Sequence, residues 1–174
     1  VFYPDDDLKR PVDKKTHYIK RCVGIAGDSI KVINGVLQVN NKPVPLYDKG
    51  QLTYTVITDG NAINPKTLEK YGIYEGANVA PGIYQFILTT EVAAQLKMLP
   101  FIKSVEPYFQ PPNTPNSFAK LFPYDDRHAW NIDNYGPVWI PKEGATITLT
   151  DEILPFYQRC IVEFEHNRLE VRNG

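Results

Sequence analysis

The sequence predicts a mainly β protein with an α+β portion in its middle and an amphipathic helix near its C-terminal end. Short runs of β-branched and aromatic residues alternate in polarity, as strands with one buried face do. Turn signals separate these runs, among them the dipeptides Asn34-Gly35 and Asp59-Gly60. Of the 174 residues, 43% are hydrophobic and 12% are aromatic, so the chain can bury a core of its own.

The first part of the chain is expected to form a strand, a corner, a second strand and a hairpin. Residues 18–25 are rich in β-favouring types, and Gly27-Asp28 makes the corner before the strand 30–33. Asn34-Gly35 then fits a type I′ turn, because both central residues of that turn need positive φ. The return strand is predicted at 36–39.

Lys20 is the chemically unusual residue of this stretch. In a strand it would share one face with Tyr18 and Cys22, while Arg21 would point to the other face. One interpretation is that Lys20 and Arg21 are ordinary solvated cations of a half-exposed strand. The other is that Lys20 is desolvated, which would favour a neutral amine able to accept a proton near pH 7. Spacing alone leaves both open.

The same residues carry a resemblance to a known family. The run Tyr18-Ile19-Lys20-Arg21, followed by Gly24 and then by Gly27-Asp28, resembles the lysine-bearing box of bacterial type I signal peptidases. The Asn-Gly hairpin and the residues Lys42-Pro43-Val44 resemble the next part of that family's sequence, although Asn41 stands where the family often has glycine. The resemblance is clear over residues 1–45 and looser over 136–174.

The resemblance implies a fold and a division of the chain. Residues 1–45 and 137–174 would be parts of a catalytic β-sheet core like that of signal peptidases and repressor-type proteases. Residues 46–136 would be an inserted, more variable α+β subdomain, as in Gram-negative-type members with a large insertion.

The resemblance also implies a mechanism and a place in the cell. In the family a serine attacks the scissile carbonyl and a lysine is its general base, which must be neutral to accept a proton. Lys20 would be that base, and Arg21, Gly27 and Asp28 would shape the structure around it. The implied partners are secretory preproteins, cleaved at Ala-x-Ala-like sites. The implied location is the bacterial inner membrane, with this domain facing the periplasm. No cofactor or metal is implied.

Two motifs of the family are missing from the sequence. The nucleophilic serine belongs to a Ser-Met-x-Pro motif, but Ser29, Ser104 and Ser117 stand in no such motif, and the later Gly-Asp-Asn-Arg box is also missing. Residues 169–174 repeat the pattern of 30–35 and stop at the turn. We therefore expect an inactive fragment that lacks the membrane anchor, the nucleophile box and the C-terminal box.

The remainder of the chain is predicted to contain further strands and helices around a proline-rich loop. The predicted strands are 52–57 and 83–88, and the predicted helices are 64–72, with Asn64 as N-cap, and 91–98. Residues 107–124 form the loop, which is rich in proline, tyrosine and phenylalanine. Residues 135–149 should return to the core. The amphipathic helix should begin at 150–152, because six apolar or half-polar residues follow at helical spacing: Ile153, Phe156, Tyr157, Cys160, Ile161 and Phe164.

Charge and hydropathy exclude other classes of protein. The formal net charge is −1, from 19 basic and 20 acidic side chains, and no basic cluster is interleaved with aromatic residues, so we expect no nucleic-acid partner. No apolar run approaches the roughly 20 residues of a membrane-spanning helix.

Acidic clusters and cysteines have ordinary structural explanations. Asp5-Asp6-Asp7 and Asp125-Asp126-Arg127-His128 are more typical of hydrated loops than of metal sites, because no further ligands follow at defined spacing. Cys22 and Cys160 are too few for a disulfide framework. We expect two separate buried thiols, and a single bridge is the alternative in an exported domain.

Two other functions compete with signal-peptide cleavage. A repressor-type self-cleaving protease would keep the serine–lysine chemistry, but the long insertion argues against it and no DNA-binding segment is visible. A β-rich adhesion or ligand-binding module would use the loop 107–124 as its contact surface and Lys20 as a surface cation.

Overall fold

The computed structural model describes residues 11–15, 19–114 and 121–172. The acidic cluster at residues 5–7, Tyr18 and Ser117 lie outside the described residues. In the described part of the chain, two four-stranded sheets hold the strands, and the helices are short. The prediction of a mainly β protein is therefore confirmed.

The strands are β1 (Ser29–Ile33), β2 (Val36–Val39), β3 (Lys42–Pro43), β4 (Gln51–Thr58), β5 (Gly76–Ala80), β6 (Ile83–Thr89), β7 (Ile102–Pro107) and β8 (Tyr135–Trp139). The α-helices are α1 (Pro65–Lys70), α2 (Thr90–Lys97) and α3 (Leu154–Arg159). A 3₁₀ turn covers Val12–Lys14, and a π-helical turn covers Cys160–Phe164.

The first sheet has the order β3-β2-β1-β8 and is antiparallel throughout. Asn34 and Gly35 connect β1 to β2 with φ values of 48° and 72°, so the predicted positive-φ turn is confirmed. The other neighbour of β1 comes from far along the chain, since Ile30 lies opposite both Val39 of β2 and Val138 of β8.

A glycine allows β8 to approach β1 closely. The pairing of β1 with β8 shifts register between Ile30 and Val32. At that point Gly136 has φ +83°, and a Cβ on it would lie 2.7 Å from the carbonyl oxygen of Ile30. Any other residue would be strained by the backbone conformation and would also collide with β1.

The second sheet has the order β5-β6-β4-β7 and carries the main core. Alternate residues of β4 and β6, such as Val56 and Leu88, are buried against the fully buried Leu96 of α2. The predicted strands 52–57 and 83–88 are confirmed within β4 and β6. The predicted helices are confirmed as α1 and α2, and the Asn64 side chain accepts a hydrogen bond from the Lys66 N–H as the expected N-cap.

Asn131 is a fully buried polar residue that joins the proline-rich loop to the start of β8. Its Nδ2 donates to the carbonyl oxygens of Pro111 and Thr114, and its Oδ1 accepts from the N–H groups of Asp133 and Asn134. Because these hydrogen bonds satisfy both ends of the amide, its burial is compatible with a stable fold.

Residues 19–25 are not a strand, contrary to the expectation from their composition. A strand needs a neighbour with which to exchange backbone hydrogen bonds, and within the described residues this segment pairs with none. Of the predicted return at 135–149, residues 135–139 form β8 beside β1, whereas 145–149 are irregular. Residues 168–172 are also irregular, so the expected start of a second hairpin is wrong for the residues that the structure describes.

The last helix is shorter than predicted. α3 begins at Leu154 rather than at 150–152, with Pro155 in its first turn, where the missing backbone N–H of proline is tolerated. The N-cap residue Ile153 makes no side-chain capping hydrogen bond. From Cys160 the hydrogen bonds change to the wider π pattern, in which the Glu165 N–H donates to the carbonyl of Cys160 at 2.9 Å.

Both cysteines are free thiols, as expected, but neither is buried. Cys22 lies in the exposed segment 19–23, where its Sγ donates to the Gly24 carbonyl oxygen at 3.2 Å. Cys160 is exposed at the end of α3. The expectation of buried thiols fails because the strand and the longer helix that would have buried them are not formed.

The two sheets draw on different parts of the sequence. Residues 29–43 and 135–139 supply the first sheet, and residues 51–107 supply the second. The division into a core of 1–45 and 137–174 and an insertion of 46–136 stays a prediction.

Candidate functional site

Lys20 lies on an exposed segment that leads into the first sheet. All residues from 19 to 23 are exposed, and the side chain of Ile19 is 95% exposed. The expected apolar, water-excluding wall around Lys20 is therefore not found among the described residues. Among the described residues, no strand is paired with this segment. The role of Lys20 as a base stays a prediction.

Arg21 is held by an aromatic ring. Its guanidinium carbon lies 3.4 Å from the ring centre of Tyr47, a residue of the linker between β3 and β4. A planar guanidinium stacks on such a ring through the negative face of the π system. No local pattern in the sequence predicts this contact, because the two residues belong to separate segments.

Gly27 and Asp28 form the corner between the lysine segment and β1. The Asp28 N–H donates to the carbonyl of Ile25 at 3.0 Å, and Gly27 has φ +96°, the sign that the third residue of a type II turn needs. The corner is also attached to the end of β8, because the Gly27 N–H donates to the carbonyl of Ile140 at 2.8 Å.

The Asp28 carboxylate uses both of its oxygens within the corner. Oδ2 accepts from the Ile25 N–H at 2.9 Å, and Oδ1 accepts from Asn40 Nδ2 at 2.7 Å. Asn40 in turn accepts from the Ser29 N–H through Oδ1 at 3.0 Å. These hydrogen bonds fix where the lysine segment meets the sheet.

Gly24 brings the lysine segment directly onto the sheet. A Cβ on Gly24 would lie 2.9 Å from Cδ1 of Ile140 and 3.0 Å from Cδ1 of Ile30, tighter than ordinary packing. The absence of a side chain here lets the backbone pass close to these two isoleucines.

An apolar groove of about 580 Å³ opens on the other side of Ile140. It is bounded by the end of β8, by the segment 145–149, and by α3 with the π-helical turn that follows, where Phe156, Tyr157 and Ile161 are half-buried. Burial raises the pKa of Tyr157. The apolar residues at helical spacing near the C-terminal end predicted one apolar helix face. Their spacing did not predict which part of the chain lies opposite that face.

Charged groups near α3 form an ion pair rather than a metal site. Arg127 Nε donates to Asp125 Oδ1 at 2.9 Å, and Arg127 also donates to the carbonyl of Asp151 just before α3. The hydrogen bond from Arg127 holds the pKa of Asp125 well below its usual range. Within residues 11–15, 19–114 and 121–172 no group of potential ligands is placed to hold a metal ion.

The described serines stand apart in the fold. Ser29 begins β1, directly after the corner, and its N–H is bound to Asn40. Ser104 lies in β7 of the second sheet, opposite Ile57. Ser29 is therefore the described serine on the same sheet as the corner that follows the lysine segment.

A family model described as signal peptidase, peptidase S26, matches residues 1–92, slightly more than half of the 174 residues. The chain belongs to the signal peptidase family, peptidase S26. Lys20, Arg21, Gly27 and Asp28 all lie within the match. The resemblance read from the lysine-bearing segment is thus confirmed, and the match continues beyond residue 45 into the second sheet.

Searches of curated proteins and of solved structures found no significant match to this signal peptidase chain. In the described part of the chain, no helix has both the length and the apolar character to cross a membrane.

Proposed function

We propose that this chain carries the general base of a signal peptidase and removes signal peptides from exported preproteins as part of the complete enzyme. Membership in the signal peptidase family makes the protein a peptidase and implies preprotein substrates. The observation that supports the finer assignment is the position of Lys20, within the matched region and shortly before the Gly27-Asp28 corner that ties its segment to the sheet.

The proposed reaction is acyl transfer to a serine. The neutral amine of Lys20 takes the proton of the serine hydroxyl as that oxygen attacks the scissile carbonyl. A solvated ammonium has no lone pair for this step, so water must leave the neighbourhood of Lys20 first. We propose that the substrate and the remainder of the enzyme cover the exposed segment 19–23, which disfavours the charged form of a lysine.

The proposed substrate site is the lysine segment itself. Residues 19–25 lie beside the first sheet without a ladder partner among the described residues, and Ile19 and Ile25 are 95% and 69% exposed. An extended peptide could add to such a segment by backbone hydrogen bonds and bury these side chains. Small side chains at the cleavage site would let the backbone of the peptide approach the backbone of the lysine segment closely.

The proposed nucleophile is a serine outside residues 1–174. None of Ser29, Ser104 and Ser117 stands in a Ser-Met-x-Pro motif, and Ser104 lies in the other sheet, so none of them supports the role. We also propose that a membrane anchor outside this sequence holds the enzyme in the bacterial inner membrane, with this domain in the periplasm. No cofactor and no metal take part in the proposed reaction.

The family match favours this function over the two alternatives. It is a match to signal peptidases, and it covers the lysine segment and the hairpin that follows. A self-cleaving repressor or a binding module has no comparable support in the contacts of the described residues.

Cleavage of a peptide with an Ala-x-Ala site tests the proposal. The protein made from the complete reading frame should cut this peptide after the second alanine, and the 174-residue chain alone should leave it intact. Cleavage by the 174-residue chain would contradict the proposal that the nucleophilic serine lies outside this chain. An intact peptide with the complete protein would contradict the function.

A further inference from the structure

The lysine segment is anchored at its two ends in different ways. At its C-terminal end, Gly24 packs on Ile30 and Ile140, and the turn at Asp28 fixes the backbone. Near its N-terminal end, the described anchor is the stacking of Arg21 on Tyr47 at 3.4 Å. Arg21 is adjacent to Lys20, so this contact attaches the chain next to the lysine to the linker that carries Tyr47.

The backbone at Tyr47 is held within the linker between the two sheets, while its side chain is 54% exposed. The Gly50 N–H donates to the Tyr47 carbonyl at 2.6 Å, which closes a tight turn. On the N-terminal side of the linker, the Val44 N–H donates to the carbonyl of Leu37 at 2.8 Å and continues the pairing with β2. The Tyr47 ring also borders a crevice of about 210 Å³ between the hairpin and Phe109.

We propose that Tyr47 is a positioning residue for Lys20 and acts through Arg21. The inference rests on the proposed function, because it assigns Tyr47 a part in aligning the general base. The guanidinium lies against a ring that belongs to the inter-sheet linker, so the linker gives the lysine segment a second attachment, separate from the Gly24 and Asp28 contacts. An aromatic ring is the chemical requirement at position 47, and the tyrosine hydroxyl is not.

Three variants of the protein made from the complete reading frame test this proposal in a peptide-cleavage assay. Tyr47→Ala should lower kcat on the order of tenfold or more, with KM changed less than about twofold, because misplacing a catalytic group slows chemistry more than binding. Tyr47→Phe should restore kcat to within about twofold of the unmodified protein, since it keeps the ring. Tyr74→Ala is the control. It removes a tyrosine that is 83% exposed and lies between α1 and β5, and it should change neither kcat nor KM.

An NMR measurement that needs no catalytic activity tests the contact between Arg21 and Tyr47 separately from the proposed function. In the 174-residue chain, the Nε–Hε resonance of Arg21 should show an upfield ring-current shift that Tyr47→Phe keeps and Tyr47→Ala removes. The inference is overturned if Lys20→Ala abolishes cleavage but Tyr47→Ala has normal kcat, a result that leaves the proposed function standing. If Lys20→Ala cleaves normally, the function and the inference both fall.

Discussion

Asn40 Nδ2 donates a 2.7 Å hydrogen bond to the carboxylate of Asp28, 12 residues earlier in the chain. This contact joins the corner after the lysine segment to the end of the first hairpin. The other carboxylate oxygen accepts from the Ile25 N–H, so one side chain connects the segment, the corner and the sheet. The family match includes all of these residues.

Removal of the Asp28 carboxylate should destabilise the first sheet. Asp28→Ala leaves the Asn40 amide and the Ile25 N–H without their acceptor, and each lost hydrogen bond to a charged group costs about 1.5–3 kcal/mol. Both hydrogen bonds are solvent-exposed, so water replaces part of each, and we expect the free energy of unfolding in urea to fall by about 1.5–3 kcal/mol in total. Asp48→Ala, at an exposed site of the linker, is the matched control and should have little effect. Equal stability of the two variants would show that the corner does not depend on this carboxylate.

Two glycine substitutions separate steric collision from backbone strain. Gly136 and Gly144 both have positive φ, +83° and +76°, but a Cβ at 136 meets the Ile30 carbonyl at 2.7 Å, whereas at 144 nothing lies within 4 Å. Gly144→Ala should cost about 1–2 kcal/mol from the left-handed conformation alone. Gly136→Ala should cost clearly more, because β8 must also move away from β1. Similar unfolding free energies for the two variants would contradict the close approach of these strands.

Alkaline pH should destabilise the protein through Tyr135. Burial raises the pKa of its phenol to about 12, and the ring packs against Trp130 at 4.8 Å between centroids. Since the folded-state pKa lies above the ordinary value of 10.0, this contribution to stability is complete below pH 10 and is lost as the pH rises towards 12.

Urea midpoints at pH 8 and pH 11 measure this effect. From pH 8 to pH 11, Tyr135→Phe should lose less stability than the unmodified chain, because phenylalanine has no proton to release in the unfolded state. Tyr74→Phe, at a site that is 83% exposed, should behave like the unmodified chain. An identical pH dependence for all three proteins would argue against a half-buried Tyr135 with a raised pKa.

Local sequence signals predicted much of the fold, because the interactions behind them are local. Asn34-Gly35 requires only the positive φ of its own residues, and Asn64 caps α1 through an N–H two residues later. The β-favouring runs 52–57 and 83–88 also predicted β4 and β6 from their own residues alone.

Contacts between distant segments could not be predicted in the same way. Whether residues 19–25 become a strand depends on a neighbour in space, and the composition of the segment does not supply one. The stacking of Arg21 on Tyr47 and the hydrogen bonds of the buried Asn131 also join segments that are distant in sequence, so local patterns do not predict them. Lys20 and Asp28 were identified because the family resemblance added information that periodicity lacks.

Replacement of Lys20 tests the central claim most directly. Lys20→Ala in the protein made from the complete reading frame should lower the rate of preprotein cleavage by at least about 100-fold, because the base that takes up the serine proton is gone. Lys42→Ala removes an exposed lysine of β3 and serves as the matched control, with a rate near that of the unmodified protein. Cleavage by Lys20→Ala at the rate of the Lys42→Ala control would contradict the assignment of Lys20 as the general base.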